Sequence, residues 1–309
     1  MAGHLYGASE KHNSSLPAES ILANIDLINQ TNSKLFVLLG DNFRETTPLH
    51  VLNFKKNFAL KTTIPIFNSV GNHDVTDRTL YEQNFGKTYF DFTYNQELFV
   101  FLDTESEGNS KGHISGKQLS WFKNLLAGSS ENKRICNIFI FSHKLIWAID
   151  NPAYTAVFSH LNNKYGYPGT GYNFKQEIKP RLIELSQQGK SIYWISGDIG
   201  TSGSYTLFYE KDPDYEITYL ATGIGDTAND VIVKVEIQEN RGNRKVQIIP
   251  ISLTNQKMQS IEYYDNNYWK DYFHAKKEQK SNLKKLKYFS IGLLTGLCLF
   301  FITSYVLKK

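Results

Sequence analysis

The hydrophobic positions of this chain alternate between two patterns until about residue 200. Short, continuous apolar runs are typical of strands buried on both faces, and they occur at 35–39, 66–70, 135–141 and 192–195. Apolar residues at helical spacing lie between these runs and predict helices near 21–28, 49–59, 119–126 and 180–188. Two more segments, at 89–93 and 98–102, are predicted to form an adjacent pair of strands.

Beyond residue 203 the pattern changes to strands alone, which are predicted at 204–209, 216–222, 231–237 and 245–251. Alternating strands and helices followed by consecutive strands favour a layered α/β or α+β sandwich, with helices outside two sheets. The 309 residues, 41% of them apolar, are enough for a substantial core. The only two cysteines, Cys136 and Cys298, exclude a disulfide framework and a cysteine-rich zinc site.

The C-terminal segment 288–307 is a run of about 20 residues without a charge, which is the length needed to cross a bilayer as a helix. The run is apolar on every face and is flanked by lysines, so a transmembrane helix is favoured over a buried core helix. We therefore expect three regions: a folded domain over 1–252, a polar, lysine-rich stem over 253–287 and the membrane helix over 288–307.

Charge is concentrated near this segment. Residues 275–309 hold eight lysines and one glutamate within a chain of net charge +4, so the rest of the chain is mildly acidic. An acidic body gives no support for nucleic-acid binding. Six of the lysines precede the apolar run and two follow it, and the positive-inside rule then predicts a single-pass protein with its body in the cytoplasm.

Polar clusters follow four of the predicted buried strands. They contain Asp41, the Asn72-His73-Asp74 run, His143 and Asp198. Ligands of α/β sheets bind at the carboxyl ends of the strands, so these side chains are expected to converge. Oxygen and imidazole ligands suit Mn²⁺, Fe²⁺ or Zn²⁺. Taken singly, each cluster is also consistent with a turn or a cap.

Gly40-Asp41-Asn42 and Gly71-Asn72-His73-Asp74 resemble the second and third motif blocks of the calcineurin-like metallophosphoesterases. His143 falls where that family has an isolated metal-binding histidine. The resemblance covers about residues 1–252 and implies a β-sandwich flanked by helices. The run around Asp41 also looks like the purple-acid-phosphatase branch, but Arg44 stands where those enzymes carry a tyrosine, so an iron-tyrosinate site is not expected.

The first and last motif blocks of the family are degenerate here. The Asp-x-His block is replaced by Ala2-Gly3-His4, with no strand pattern in residues 1–7, and Gly-His-x-His is replaced by Gly197-Asp198-Ile199-Gly200. The resemblance then implies one metal position held by Asp41, Asn72, His143 and Asp198. The other keeps only His4 and the bridging Asp41. One tightly bound ion is therefore expected, since four protein ligands hold a metal well and two hold it poorly.

The expected activity is hydrolysis of a phosphate mono- or diester by metal-activated water, on a phosphorylated substrate of unknown identity. The resemblance implies that His73 is a general acid or phosphate ligand oriented by Asp74, and Arg44 is a candidate for substrate binding. Lys144 is a further candidate for neutralising phosphate oxygens, but a solvated surface position is the favoured prediction for it. The alternative is a non-catalytic protein of the same fold that acts as a membrane-tethered binding partner, which the lost ligands at Ala2 and Gly200 favour.

Overall fold

The computed structural model describes residues 1–7, 14–105, 114, 116–149, 151–155, 157–158, 174–200, 206–240 and 243–284. The chain divides into two compact units, Met1–Asn266 and Asn267–Lys309. All of the elements that form the candidate site belong to the first unit.

The largest sheet of the first unit has six strands in the order β3-β4-β5-β6-β8-β7. Their bounds are Phe90–Tyr94 (β3), Glu97–Phe101 (β4), Asn137–Ser142 (β5), Ser191–Ser196 (β6), Leu207–Lys211 (β7) and Ile217–Thr222 (β8). The four inner strands are parallel and the two edge strands are antiparallel to their neighbours. The loops after β5 and β6 therefore leave the sheet at the same edge.

Two smaller sheets complete the β structure. The strands Phe36–Leu39 (β1) and Ile66–Ser69 (β2) pair in parallel, and Val231–Asn240 (β9) and Asn243–Ser252 (β10) form an antiparallel hairpin. Each predicted strand is present within a few residues of its expected bounds, although the first part of 204–209 lies outside the described residues.

The first two residues join these smaller sheets. The Ala2 amide donates to the carbonyl of Val37 in β1 at 3.1 Å, and the Val233 amide of β9 donates to the carbonyl of Met1 at 3.0 Å. Residues 1–7 show no strand pattern in the sequence, yet Ala2 forms an isolated parallel bridge with Leu38 of β1. Two residues are too few to show the alternation that identifies a strand in sequence. The pairing carries His4 to the carboxyl end of β1.

Six helices are described in the first unit: Glu19–Leu22 (α1), Ile25–Gln30 (α2), Pro48–Phe54 (α3), Arg78–Phe85 (α4), Gly116–Glu131 (α5) and Lys179–Gln187 (α6). The Thr47 hydroxyl caps α3 by accepting from the His50 amide, and Pro48 occupies the first turn, where a missing N–H costs nothing. π-Helical turns follow α3 at Lys55–Ala59 and precede α6 at Phe174–Ile178. The single helix predicted over 21–28 is two short helices.

The residues of β1 alternate between two cores. Phe36 and Leu38 pack against apolar side chains from the N-terminal helices, while Val37 and Leu39 pack against the six-stranded sheet. On the opposite face of that sheet, Trp194 of β6 meets Phe122 of α5 with ring centroids 6.1 Å apart. The mixed α/β fold that the sequence predicts, with a central sheet and helices, is confirmed.

A seventh helix, α7, spans residues 266–284, and it makes up the described part of the second unit. Its last turns are exposed and rich in lysine, and the stem predicted over 253–287 stays a prediction. Among the helices that the structure describes, none combines the length and the apolar character needed to cross a membrane. The predicted membrane helix 288–307 lies outside the described residues and stays a prediction.

Candidate metal centre

Four side chains with metal-binding atoms meet at the carboxyl edge of the sheets. They are His4, Asp41, His143 and Asp198, and one ligand atom from each lies within 4.8 Å of all the others. The Oδ2 atom of Asp41 is 3.2 Å from His4 Nε2 and 3.3 Å from His143 Nε2. Asp198 Oδ1 is 3.6 Å from His143 Nε2. Two imidazoles and two carboxylates form a donor set that suits Mn²⁺, Fe²⁺ or Zn²⁺.

The orientation of His143 fits an ion at this position. Its Nδ1 atom lies 2.9 Å from the carbonyl oxygen of Leu39, which fixes the ring and turns Nε2 toward the carboxylates. Nε2 is fully buried and makes no hydrogen bond of good geometry with the described residues. A buried imidazole nitrogen that faces two carboxylates, on a ring fixed by a carbonyl at its other nitrogen, is placed as a metal ligand would be.

The backbone around Asp41 is adapted to this arrangement. Gly40 has φ +84°, and a Cβ at this position would lie 2.6 Å from the His143 ring. Asp41 itself has φ +56° and His4 has φ +59°, both in the left-handed region that few non-glycine residues occupy. Strained backbone of this kind is concentrated at functional sites.

The Asp74 carboxylate ties the second and third motif loops together. It accepts hydrogen bonds from the backbone amides of Asp41 and Asn42, both at 2.8 Å, and of Gly71 at 2.9 Å. Burial and the nearby charge of Asp41 raise the pKa of Asp74 to about 7, although the amide donors work in the opposite direction. These contacts give Asp74 a structural role in shaping the loops.

His73 lies beside the four-residue cluster. Its Nδ1 atom is 2.5 Å from the carbonyl oxygen of Arg44, so the prediction that Asp74 orients this ring is wrong. The backbone amide of His73 donates to Asp41 Oδ1 at 3.0 Å. Its ring packs against Tyr6 with a centroid distance of 5.0 Å, and Tyr6 packs in turn against His4. The side chain of Arg44 is half-buried, and its substrate role stays a prediction.

Lys144 is the largest departure from the sequence-based expectation. It is only 4% exposed, so the prediction of a solvated surface lysine is wrong. Its Nζ atom lies 2.6 Å from Asn72 Oδ1 and 2.9 Å from Asp198 Oδ2. The cluster brings His4 together with Asp41, His143 and Asp198, and the Asn72 oxygen contacts the Lys144 ammonium.

The electrostatics of the cluster follow from these contacts. Burial by itself lowers the pKa of His143, but the carboxylates of Asp41 and Asp198 outweigh it and raise the pKa to about 9. The pKa of Asp41 is held well below its usual range against the effect of burial, chiefly by His143 and also by His4. The pKa of Asp198 is lowered because Lys144 and His143 outweigh its burial. Both carboxylates are therefore ionised at neutral pH and available to a cation.

Sequence reasoning found every residue of the cluster and missed what Lys144 and Tyr6 do. Lys144 directly follows His143, and nothing in the sequence tells whether such a side chain points into the site or into solvent. Tyr6 lies within a segment that has no recognisable pattern. Both are placed by contacts between residues far apart in the chain.

Neither a protein-family model nor a curated protein matches the sequence. Among solved structures, the chain is similar to the crystal structure of a dimetal phosphatase from Danio rerio, with a TM-score of 0.51 and 12% sequence identity. The similarity covers 82% of this chain and 97% of the other. At this identity the match is evidence of a shared fold. The chain therefore has a mixed α/β fold similar to that of this solved structure, and it carries a cluster of His and Asp side chains that could hold a metal ion.

Proposed function

We propose that this chain is a metal-dependent phosphoric ester hydrolase that acts on a phosphate mono- or diester. The observation that carries the proposal is the convergence of His4, Asp41, His143 and Asp198 within one ligand sphere. The similarity to a dimetal phosphatase supports the same reaction class, since the cluster lies at the strand ends where α/β folds bind ligands. One tightly bound Mn²⁺, Fe²⁺ or Zn²⁺ is the proposed cofactor.

A divalent ion at this position would act as a Lewis acid on a phosphoryl oxygen and lower the pKa of water. Within the chain, the two carboxylates and two imidazoles would hold the ion in a largely buried site, where its charge is weakly screened. Asp74 fixes the loop that carries Asp41 through its three amide contacts. This support keeps the carboxylate of Asp41 in place during turnover.

His73 is the proposed general acid. The Arg44 carbonyl can only accept a hydrogen bond, so Nδ1 of His73 carries a hydrogen and Nε2 is the atom that can take up or release a further proton. In the imidazolium form Nε2 can donate that proton to the leaving group. Arg44 is the proposed contact to the remaining phosphate oxygens, as a guanidinium suits a phosphate group.

We also propose that the enzyme is a single-pass membrane protein anchored through 288–307, with its domain on the cytoplasmic side. The uncharged run and the lysine asymmetry around it support this arrangement. A second candidate function is a non-catalytic, membrane-tethered binding protein. The observation in its favour is that the side-chain oxygen of Asn72, a residue of the third motif block, contacts the Lys144 ammonium.

The deciding experiment measures metal content and hydrolysis together. The purified chain is loaded with Mn²⁺, Fe²⁺ or Zn²⁺ and assayed with a generic phosphomonoester and a generic phosphodiester. Asp41→Asn should lose the ion and the activity, because Oδ2 of Asp41 faces both histidines. Asp212→Asn is the matched control, since Asp212 pairs with Lys179 away from the cluster. Metal binding without hydrolysis of either ester would favour the non-catalytic protein.

A further inference from the structure

Lys144 is a buried cation placed directly beside the ligand cluster. Its ammonium contacts one charged oxygen, Asp198 Oδ2 at 2.9 Å, and one neutral oxygen, Asn72 Oδ1 at 2.6 Å. Carboxylate and amide oxygens are also the ligands that hard divalent ions take. The ammonium thus contacts two atoms that could otherwise bind metal.

The carboxylate of Asp198 is shared between two positive positions. Its Oδ1 atom belongs to the cluster, 3.6 Å from His143 Nε2 and 4.0 Å from His4 Nε2. Its Oδ2 atom contacts Lys144 on the other side. A carboxylate that faces a metal position with one oxygen and a cation with the other is arranged as a bridging ligand between two cations.

We propose that the Lys144 ammonium occupies a second cation position next to the metal, so that this site works with one divalent ion and one tethered lysine instead of two ions. The inference rests on the proposed function, because it presumes an ion among His4, Asp41, His143 and Asp198. Lys144 acts on the reaction through Asp198, whose carboxylate it turns toward the cluster, and is therefore a positioning residue.

The energetics favour the ammonium over a second ion. A divalent ion bound by Asn72 and Asp198 Oδ2 would have to displace Nζ, because both would compete for the same two oxygens. The displaced ammonium would then lose these two oxygens in a site where Lys144 is only 4% exposed, and separating a buried charge from oxygens that stabilise it is costly. The ammonium and a second divalent ion would also repel each other strongly, because like charges that lie close together in a buried site are weakly screened. Because the lysine is covalently attached, no chelator can remove it.

The test counts ions on the full-length chain with Mn²⁺ as the probe. We expect one ion per chain by elemental analysis and the six-line electron paramagnetic resonance spectrum of an isolated Mn²⁺. In Lys144→Ala the oxygens of Asn72 and Asp198 lose the ammonium, and metal content should rise from one ion to two per chain. The spectrum should then show exchange coupling between two neighbouring ions. Lys144→Arg keeps a cation at this position and should stay at one ion.

Two further variants make the result specific. Lys190→Ala is the matched control, because Lys190 is also a buried lysine and its ammonium contacts only main-chain carbonyls of Asn132 and Ile135 among the partners described. It should stay at one ion per chain. If Lys144→Ala does not fold, Lys144→Gln removes the charge with a smaller loss of volume and should also gain an ion. Adding Asn72→Ala to either variant should return the count to one.

The outcomes separate this inference from the proposed function. Two ions in the unaltered chain would overturn the role of Lys144 and leave a metal-dependent hydrolase. One ion in both Lys144→Ala and Lys144→Gln would equally overturn it, since the position would then hold no ion even without the ammonium. No ion in any variant, including the unaltered chain, would refute the proposed function and this inference with it.

Discussion

The imidazole of His143 is locked to the last residue of β1, with Nδ1 2.9 Å from the Leu39 carbonyl oxygen. This contact joins the loop after β5 of the large sheet to the end of a strand in a different sheet. Leu39 also uses its amide to bind the carbonyl of Ala2, which places His4 beside the same strand end. The two imidazoles of the cluster are therefore positioned by one residue of the main chain.

Replacing His4 should weaken metal binding. The grouping of His4 with Asp41 and His143 predicts that His4→Ala lowers metal affinity by at least about tenfold, the size of the loss that even an outer-shell partner causes. Competition with a chelating dye measures the change. His50→Ala is the control. His50 is also largely buried, but its ring contacts the hydroxyl of Thr47, the N-cap residue of α3, and it is not part of the ligand cluster. Unchanged affinity in His4→Ala would remove His4 from the site.

Replacing His73 should abolish most of the hydrolysis while leaving metal binding intact. His73→Ala is expected to retain the ion, because its ring contacts Tyr6 and the Arg44 carbonyl and lies outside the ligand set. Its hydrolysis rate should fall by about 10²–10⁴, the usual contribution of a general acid. Metal analysis and steady-state kinetics on the same preparation give both values. Loss of the ion together with the activity would mean that His73 is a ligand.

Substitution of Gly40 should disrupt the site through the backbone. Gly40→Ala places a Cβ 2.6 Å from His143 Nδ1 at a φ of +84°, so we expect a loss of about 1–3 kcal/mol in the free energy of unfolding. Gly128→Ala is the matched control in α5, where a Cβ meets nothing within 4 Å. It should stabilise the chain by about 0.4–1 kcal/mol. Chemical denaturation of the metal-free protein measures both, and equal stabilities would contradict the prediction.

Metal affinity should depend on pH through His143. The raised pKa of about 9 means that the ring is protonated at neutral pH in the metal-free protein, and the ion must displace that proton. Metal affinity should therefore rise by up to about tenfold per pH unit and level off above about pH 9.

The raised pKa of His143 also stabilises the metal-free fold below the ordinary pKa of 6.5, and this stabilisation is lost as the pH rises through about 9. Chelator competition and thermal unfolding across this range test the two trends, and a flat affinity profile would argue against a protonated His143.

The uncharged segment 288–307 should hold the full chain in membranes. We expect the protein to stay in the membrane fraction after an alkaline carbonate wash, because about 20 apolar residues give a stable membrane helix. A chain that ends at Asn266, the boundary of the first compact unit, should be found in the supernatant. Release of the full chain by carbonate would refute the anchor. Cleavage of the domain by protease added to intact cells would refute the cytoplasmic orientation.

Local sequence was sufficient for most elements and for the ligand candidates. Buried strands such as β5 and β6 are continuous apolar runs, and the polar residues that follow them, His143 and Asp198, stand out because the runs end there. The pairing of Met1 and Ala2 with β9 and β1 could not be found in this way, because it involves only two residues.

The sequence by itself determined that Asp41, His143 and Asp198 reach the carboxyl edge of the sheets, because strand periodicity and strand ends are properties of neighbouring residues. Only the tertiary structure decided that His4 joins these three side chains and that Lys144 contacts Asn72 and Asp198. It also decided that Arg44 orients His73 through a carbonyl oxygen. These relationships depend on the direction of side chains from separate loops, which packing sets over tens of residues and which no local pattern encodes.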